Sequence, residues 1–338
     1  TLEPSSAASD VYKRQTLYRL TLNPENPYEY LYDGAYRAME KRSVTVSVPG
    51  DDGQLKAEPH ETYFTHFGPV VESEALPWKN GVAFAMRDAV IDNYLTAATY
   101  DALGKATSTA DIEAAISQQG VYWTNTVAAD RAGNAFYADI SGTPNIDESL
   151  LERCQIGLPE SMSYLILLRG DDSSCEWYDD PSSQVAGTLP AQKMPRLTRT
   201  DYVSNSNDSY WLSNADAPLE GYSPVIGAER TARSLRTRAG LTQLAELRAQ
   251  KQKLALEDLQ GMLYNQRNYG AELLLDDVLQ LCEDDAELQA VCRALQNWDR
   301  TMLVDAKGGH VWREFWRDAR RIDGLYAEAF DVADPMHT

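Results

Sequence analysis

Positive charge and histidine are what this sequence is short of. Its 338 residues hold 31 Lys and Arg against 51 Asp and Glu, a formal net charge of −20. That balance argues against nucleic acid or an anionic membrane surface as a partner. There are four His (His60, His66, His310 and His337), none with the H-E-x-x-H spacing of a zinc protease. No Cys/His cluster has zinc-ligand spacing either, so no metal is expected. The G-x-S-x-G elbow, the Walker loop and G-x-G-x-x-G are missing. That removes α/β-hydrolase, P-loop and dinucleotide-binding readings, and no cofactor is expected. No apolar run approaches the roughly 20 residues that cross a bilayer, and no signal peptide is legible.

What is present is a composition 43% hydrophobic and 24% charged, enough for one large or two ordinary cores. Residues 1–15, TLEPSSAASDVYKRQ, are small and polar and resemble a translated sequencing adapter. They are expected to be a non-native or disordered leader. Strand patterns follow at 16–22, 28–32, 43–48, 61–71 (with a break) and 82–87, and turn clusters at 23–27, Asp33-Gly34 and 49–53. Helical spacing covers 92–103, and Ser108 with Asp111 three residues on opens a second helix. Strands at 121–128 and 135–140 are joined by 130–134. Residues 142–200 have much Pro, Ser, Asp and Gly and little periodicity, and are expected to be a long surface excursion. From 227 the composition turns to Ala, Arg and Leu, with helical patterns at 228–251, 255–264, 271–282, 286–298 and 311–322. The expected organisation is α+β: a sheet-rich core at 16–226 and a helical segment at 227–330.

The four Cys fall into two local pairs, Cys154 with Cys175 and Cys282 with Cys292. Both are expected to be disulfides, the second joining two helices across Glu283-Asp284-Asp285. Closing a loop of about 15 residues contributes about 3 kcal/mol in the chain-entropy model. Disulfides imply an oxidising compartment, hence a periplasmic or secreted location. The acidic residues Asp171, Asp172, Glu176, Asp179 and Asp180 lack Gly-punctuated calcium-ligand spacing and read as a solvated loop.

The stretch Asn205-Ser206-Asn207-Asp208-Ser209-Tyr210-Trp211 has the residue types of an Asx-turn. An Asn amide also offers an NH2 donor whose state does not change with pH, which suits an oxyanion hole. That stretch, TLYRLTLNPENPYEYLYDG (16–34), His-Glu-Thr-Tyr, Phe-Gly-Pro-Val-Val, Phe84-Ala85-Met86-Arg87-Asp88, Gly227-Ala228-Glu229-Arg230 and Asn297-Trp298-Asp299-Arg300 occur in that register along 16–330. Together they resemble the large subunit of the penicillin amidase family, closest to its acyl-homoserine lactone acylases.

The resemblance implies a partial αββα N-terminal nucleophile hydrolase sandwich with a helical segment. It implies an amidohydrolase in which an N-terminal Ser attacks an acyl amide and its own α-amine, with a pKa near 8, takes the proton. The nucleophile lies upstream of the first matching residue, so the chain is read as a fragment, inactive by itself. Thr1 does not replace it, because the pocket strands that should follow are absent. Asn207 resembles the side-chain oxyanion donor and Arg230 the Arg beside it; Tyr100 and Trp123 match acyl-pocket wall positions, though an ordinary core aromatic looks the same in sequence. The implied partners are a small-molecule acyl amide substrate, the missing small subunit and the rest of the large subunit. No nucleic acid and no membrane span are expected. The alternative is a non-catalytic binding or scaffold protein that kept the fold.

Overall fold

The computed structural model describes residues 14–50, 53–159, 162, 165–282, 287–322, 325 and 329–337. Residues 1–13 of the expected leader, the hairpin tip Asp51-Asp52 and the turn Glu283-Asp284-Asp285 lie outside them. The chain forms two compact units. One holds residues 14–205 with Ser209–Glu229; the other holds Ser206–Asp208 and the described residues from Arg230 on. The observed division is thus Glu229/Arg230, against the expected 226/227.

The first unit is built around strand β1 (Gln15–Asn23). Gln15, assigned to the leader from sequence, opens this strand. β1 pairs antiparallel with β7 (Val82–Asp88) along its length and with β2 (Asn26–Tyr32) at its C-terminal end. On the β2 side its N-terminal half pairs in parallel with β10 (Ile166–Arg169). The sheet continues to β3 (Ala35–Ala38) beyond β2 and to β6 (Val70–Val71) beyond β7. Asp33 and Gly34 both have positive φ, 47° and 79°, as a two-residue hairpin loop that matches strand twist requires.

Alternation explains why this strand is central. Tyr18, Leu20 and Leu22 share one face and are buried in the main core, while Leu17 on the other face packs with Leu167 and Leu76. Alanines meet the large side chains across the sheet, Ala85 opposite Tyr18 and Ala83 opposite Leu20. Burying each such large side chain contributes roughly 1.5–3 kcal/mol. Burial pushes the Tyr18 hydroxyl up to about 12. Gly68 is required here as well: with φ 140°, a Cβ would sit 2.2 Å from the Met86 carbonyl oxygen.

A second sheet, β8 (Thr126–Ala129), β9 (Ala135–Ala138) and β11 (Arg196–Arg199), has the order β11-β9-β8. It packs Phe136, Tyr137 and Ile140 with Ile116, Met194 and Tyr210. Helices α1 (Thr96–Lys105) and α2 (Thr109–Ile116) precede it, and Ser108 and Asp111 form the expected capping box on α2. α1 starts later than the pattern at 92–103. Asn93 turns the chain first: its Oδ1 accepts from the Leu95 N–H (3.0 Å) and its Nδ2 donates to the Gln119 carbonyl (2.6 Å).

Two expectations need correction. Residues 142–200 are not a surface excursion. They supply α3 (Glu148–Cys154), β10 and β11, and bury Thr143, Ile146, Leu150, Leu168, Trp177 and Met194. Each buried piece is too short to show a period between its turn residues. Nor does every predicted strand within 16–226 belong to the sheet-rich core. β4 (Glu40–Pro49) and β5 (Leu55–Phe64) form a separate two-stranded hairpin, exposed for most of its length on both faces.

The helical unit comprises α4 (Leu235–Gln250), α5 (Leu256–Tyr264), α6 (Tyr269–Leu281), α7 (Gln289–Gln296) and α8 (Gly309–Ala319). Its core joins Leu275, Leu295, Trp298, Trp312 and Trp316. Disulfides link Cys154 to Cys175 and Cys282 to Cys292. Among the described residues no helix is long and apolar enough to cross a membrane.

Beside the first disulfide, Glu176 is the hub of a polar network. It accepts from the Tyr32 hydroxyl and from Arg87 Nη1 (3.2 Å), and lies 3.2 Å from His66 Nε2. Tyr30 Oη meets His66 Nδ1 at 2.7 Å, and the Arg87 guanidinium lies 4.2 Å from the centre of the Trp177 ring. The hydrogen bond with His66, then that from Tyr32 and the charges of His66 and Arg87, hold the Glu176 carboxyl down at about 2 against the opposing effect of burial. A depressed carboxylate stabilises above its unfolded pKa of about 4.3, and that contribution is lost as pH falls through the folded value. We predict a loss of on the order of 3 kcal/mol between about pH 4.5 and 2. Urea unfolding followed by Trp fluorescence at several pH values in this window should show a shallower fall for Glu176→Gln. Equal falls in both proteins would remove Glu176 from this role.

Candidate active site

The Asn-rich stretch is held by its Asp. The Asp208 carboxylate accepts from Arg233 Nη1 (3.0 Å), Thr237 Oγ1 (2.6 Å), Ser234 Oγ (3.3 Å) and the Ser234 N–H (3.4 Å). Ser234 is itself the N-cap of α4, its Oγ accepting from the Thr237 N–H at 3.3 Å. A carboxylate there meets unsatisfied N–H groups and the positive end of the helix dipole. The Arg233 side chain is 4% exposed and also donates through Nε to the Thr231 carbonyl (2.9 Å). This buried ion pair places Ser206–Asp208 with the helical unit rather than with its sequence neighbours.

Asn207 sits half-buried on this anchor with φ 58°, in the left-handed region. Asn tolerates that region better than other residues with a Cβ. Arg236 Nη2 lies 3.4 Å from both the Asn207 carbonyl oxygen and its Oδ1. With the amide oxygen turned to a cation, Nδ2 is the end that presents donors. Arg230 is exposed and also left-handed, φ 54°. That turn interrupts the helical pattern expected from 228, and α4 begins at Leu235 after the Ser234 cap. Sequence reasoning missed Arg233 and Arg236. Their signal was a cluster of Arg just inside a helix start, legible only once Asp208 is known to meet it.

The flanking residues serve the other unit. Asn205 Nδ2 donates to Tyr137 Oη (3.5 Å), which in turn donates to Asn125 Oδ1 (2.5 Å). The buried Tyr210 hydroxyl donates to Glu229 Oε1 (2.5 Å), and the same carboxylate accepts from the Gly221 and Tyr222 N–H groups, both at 2.9 Å. Desolvation first, then this carboxylate, drives the Tyr210 pKa upward.

Tyr100 lies on α1 and is 56% exposed; Trp123 is 38% exposed, beside Tyr122 and under the Arg14 guanidinium at 4.6 Å. Neither is a core aromatic in this chain. Among the described residues no group of three or more His, Cys, Asp or Glu is placed to hold a metal ion. The acidic loop is committed to protein partners: Asp171 to Arg169, Asp172 to the Ser174 N–H, and Asp180 to Lys193.

Breaking a buried ion pair from one side costs about 3–5 kcal/mol, because the other charge is left without its partner. Asp208→Ala should destabilise the helical unit by that amount, whereas Asn207→Ala should cost about 1–2 kcal/mol for a left-handed Ala. Chemical unfolding followed by far-UV circular dichroism measures both. Equal, small effects would mean that Asp208 is not the anchor.

The sequence profile of the penicillin amidase family matches residues 7–333. The acyl-homoserine lactone acylase PvdQ of Pseudomonas fluorescens is 35% identical over 337 residues, 97% of this chain and 43% of the relative. The aculeacin-A acylase of Actinoplanes utahensis is 33% identical over 353 residues, 96% of this chain and 43% of the relative. The chain thus spans less than half the length of these relatives. A thermostable penicillin G acylase from Alcaligenes faecalis superposes with a TM-score of 0.57 at 18% identity, covering 85% of this chain and 46% of that one. That likeness bears out the α+β class and the partial N-terminal nucleophile hydrolase fold. By the extent of the profile match, the chain belongs to the penicillin amidase family.

Proposed function

We propose that this chain is part of an acylase that hydrolyses the amide bond of N-acyl substrates through an N-terminal Ser outside the present sequence. The substrate classes to try are an acyl-homoserine lactone, a penicillin or a lipopeptide; the relatives' names add aculeacin A to the panel. The observation that carries the reading is Asn207: a half-buried amide on a left-handed residue, its oxygen facing Arg236, in a segment pinned to α4 by Asp208. A donor fixed in advance stabilises the tetrahedral oxyanion without reorganising as charge develops. In this reading Arg230 stands near the α-amine and favours its neutral, proton-accepting form by like-charge repulsion. Tyr100 and Trp123 would line the acyl chain, a role their exposure in this chain leaves open to them. The two disulfides support a periplasmic or secreted location. The remaining parts of the precursor complete the site, and the 338-residue chain alone should not turn over an acyl amide.

Losing one oxyanion donor lowers turnover by on the order of 10²–10³, about 3–4 kcal/mol. In the full-length protein Asn207→Ala should therefore lower kcat by that factor with KM nearly unchanged. Asn205→Ala should chiefly lower stability, since its amide donates to Tyr137. The assay is acid release from a panel of N-acyl amides, with circular dichroism to verify folding. Full turnover by folded Asn207→Ala, or turnover by the present chain alone, would show the assignment to be wrong.

A further inference from the structure

The β4–β5 hairpin is an arm with one open edge. All ten residues of β4 pair with β5, and among the described residues no other strand pairs with either; only Phe64, at the end of β5, bridges to Pro69. A two-stranded ladder exposed on both faces is marginally stable in water by itself. Yet Val44 is 52% and Val46 43% exposed, side by side on one face.

The two outer edges are not alike. The Gly50 N–H donates to the Gln54 carbonyl (2.8 Å), continuing a ladder that pairs Val48 with Lys56, Val46 with Glu58 and Val44 with His60. Hydrogen-bonded pairs alternate with non-hydrogen-bonded ones along an antiparallel ladder. Val44, Val46 and Val48 therefore direct their backbone groups at β5, and Ser43, Thr45 and Ser47 direct theirs outward. On the β5 side the outward residues include Pro59, opposite Thr45, which has no N–H to offer. Proline in such a place blocks an edge; β4 has no proline before its last residue.

The open edge reads the same in both directions: Ser43-Val44-Thr45-Val46-Ser47. An antiparallel strand set against it about a two-fold axis at Thr45 meets Ser with Ser, Val with Val and Thr with Thr when it is this same strand. The outward N–H and C=O groups of Ser43, Thr45 and Ser47 then face one another in register. Four valines close over one face, and the hydroxyls line the other. β-branched and Thr pairs of this kind are favourable across strands. No like charges face each other, because Lys41 falls opposite Pro49. We infer that the β4 edge is a self-association surface whose partner is a second copy of this chain, giving a four-stranded β5-β4-β4-β5 ladder. The contact is isologous, and Pro59 on each outer edge stops it from propagating into a fibre.

One strand pair is a small interface, so the dimer is weak. The net charge of −20 also opposes it, so it is best examined at about 0.15 M salt, where the screening length is about 8 Å. Sedimentation of the full-length protein should show a concentration-dependent dimer below about 1 mM. Thr45→Pro removes one outward N–H and no bond to β5, and should weaken the dimer at least about tenfold. Ala57→Pro does the same on the β5 edge and should leave it unchanged. The two-fold axis also places Thr45 against its own copy at about 5.5 Å between Cα atoms, within disulfide reach. Thr45→Cys should therefore cross-link to a dimer under mild oxidation faster than Ser43→Cys or Ser47→Cys, a readout that does not need Thr45→Pro to fold. A chain monomeric to about 1 mM, a dimer indifferent to Thr45→Pro, equal cross-linking at all three positions, or open-ended polymers would each overturn the inference.

Discussion

The pairing of β1 on both of its edges is the constraint on which the first unit depends. A strand with neighbours on both sides has its backbone groups satisfied along most of its length, and its two rows of side chains must both find cover. Tyr18 and Leu20 point into the main core and Leu17 into a smaller one. The alanines of β7 are small because Tyr18 and Leu20 stand across from them. The Trp177 indole N–H then donates to Thr16 Oγ1 (2.9 Å), joining the disulfide-linked loop to the same strand. The helical unit has a different centre, a cluster of Trp298, just past α7, with Trp312 and Trp316 of α8, and its own charge anchor at the start of α4.

Some of this was legible in the sequence and some was not, for physical reasons. β1 and β7 were readable because seven or more residues of apolar character outlast a turn. The capping box at Ser108 and Asp111 was readable because it is local. β4 was readable as a strand, but its Val/Ser/Thr alternation cannot say whether a covering layer exists; here Val44 and Val46 are exposed. Residues 142–200 were not readable, because β10 and β11 have four residues each and a period of two needs more.

The candidate site divides in the same way. Asn207 stood out only through resemblance to a family, since Asn, Ser and Asp in a row read equally well as an ordinary turn. Its left-handed backbone has no local sequence signature. Asp208 was visible as a residue but not as an anchor, because its partners Arg233, Ser234 and Thr237 lie 25 to 29 positions away. The disulfides were legible for the opposite reason: both close short loops, of 21 and 10 residues.

The parallel pairing of β1 with β10 bears on the order of events as the chain folds. β2 and β3 lie within a hairpin's reach of β1 and can pair as soon as they exist. The bond from Trp177 to Thr16 spans 161 residues, and the β10 contacts span nearly as many. Long-range parallel pairing carries its loop-closure cost before any contact is made, and it is slow. During synthesis the apolar face of β1 must therefore wait, at about 5–20 residues per second, for some ten seconds or more before its last neighbour is made. Over that interval the β1 edge that β10 will take stays open, and β7, made by residue 88, with the β1–β2–β3 meander is the shelter available to the strand.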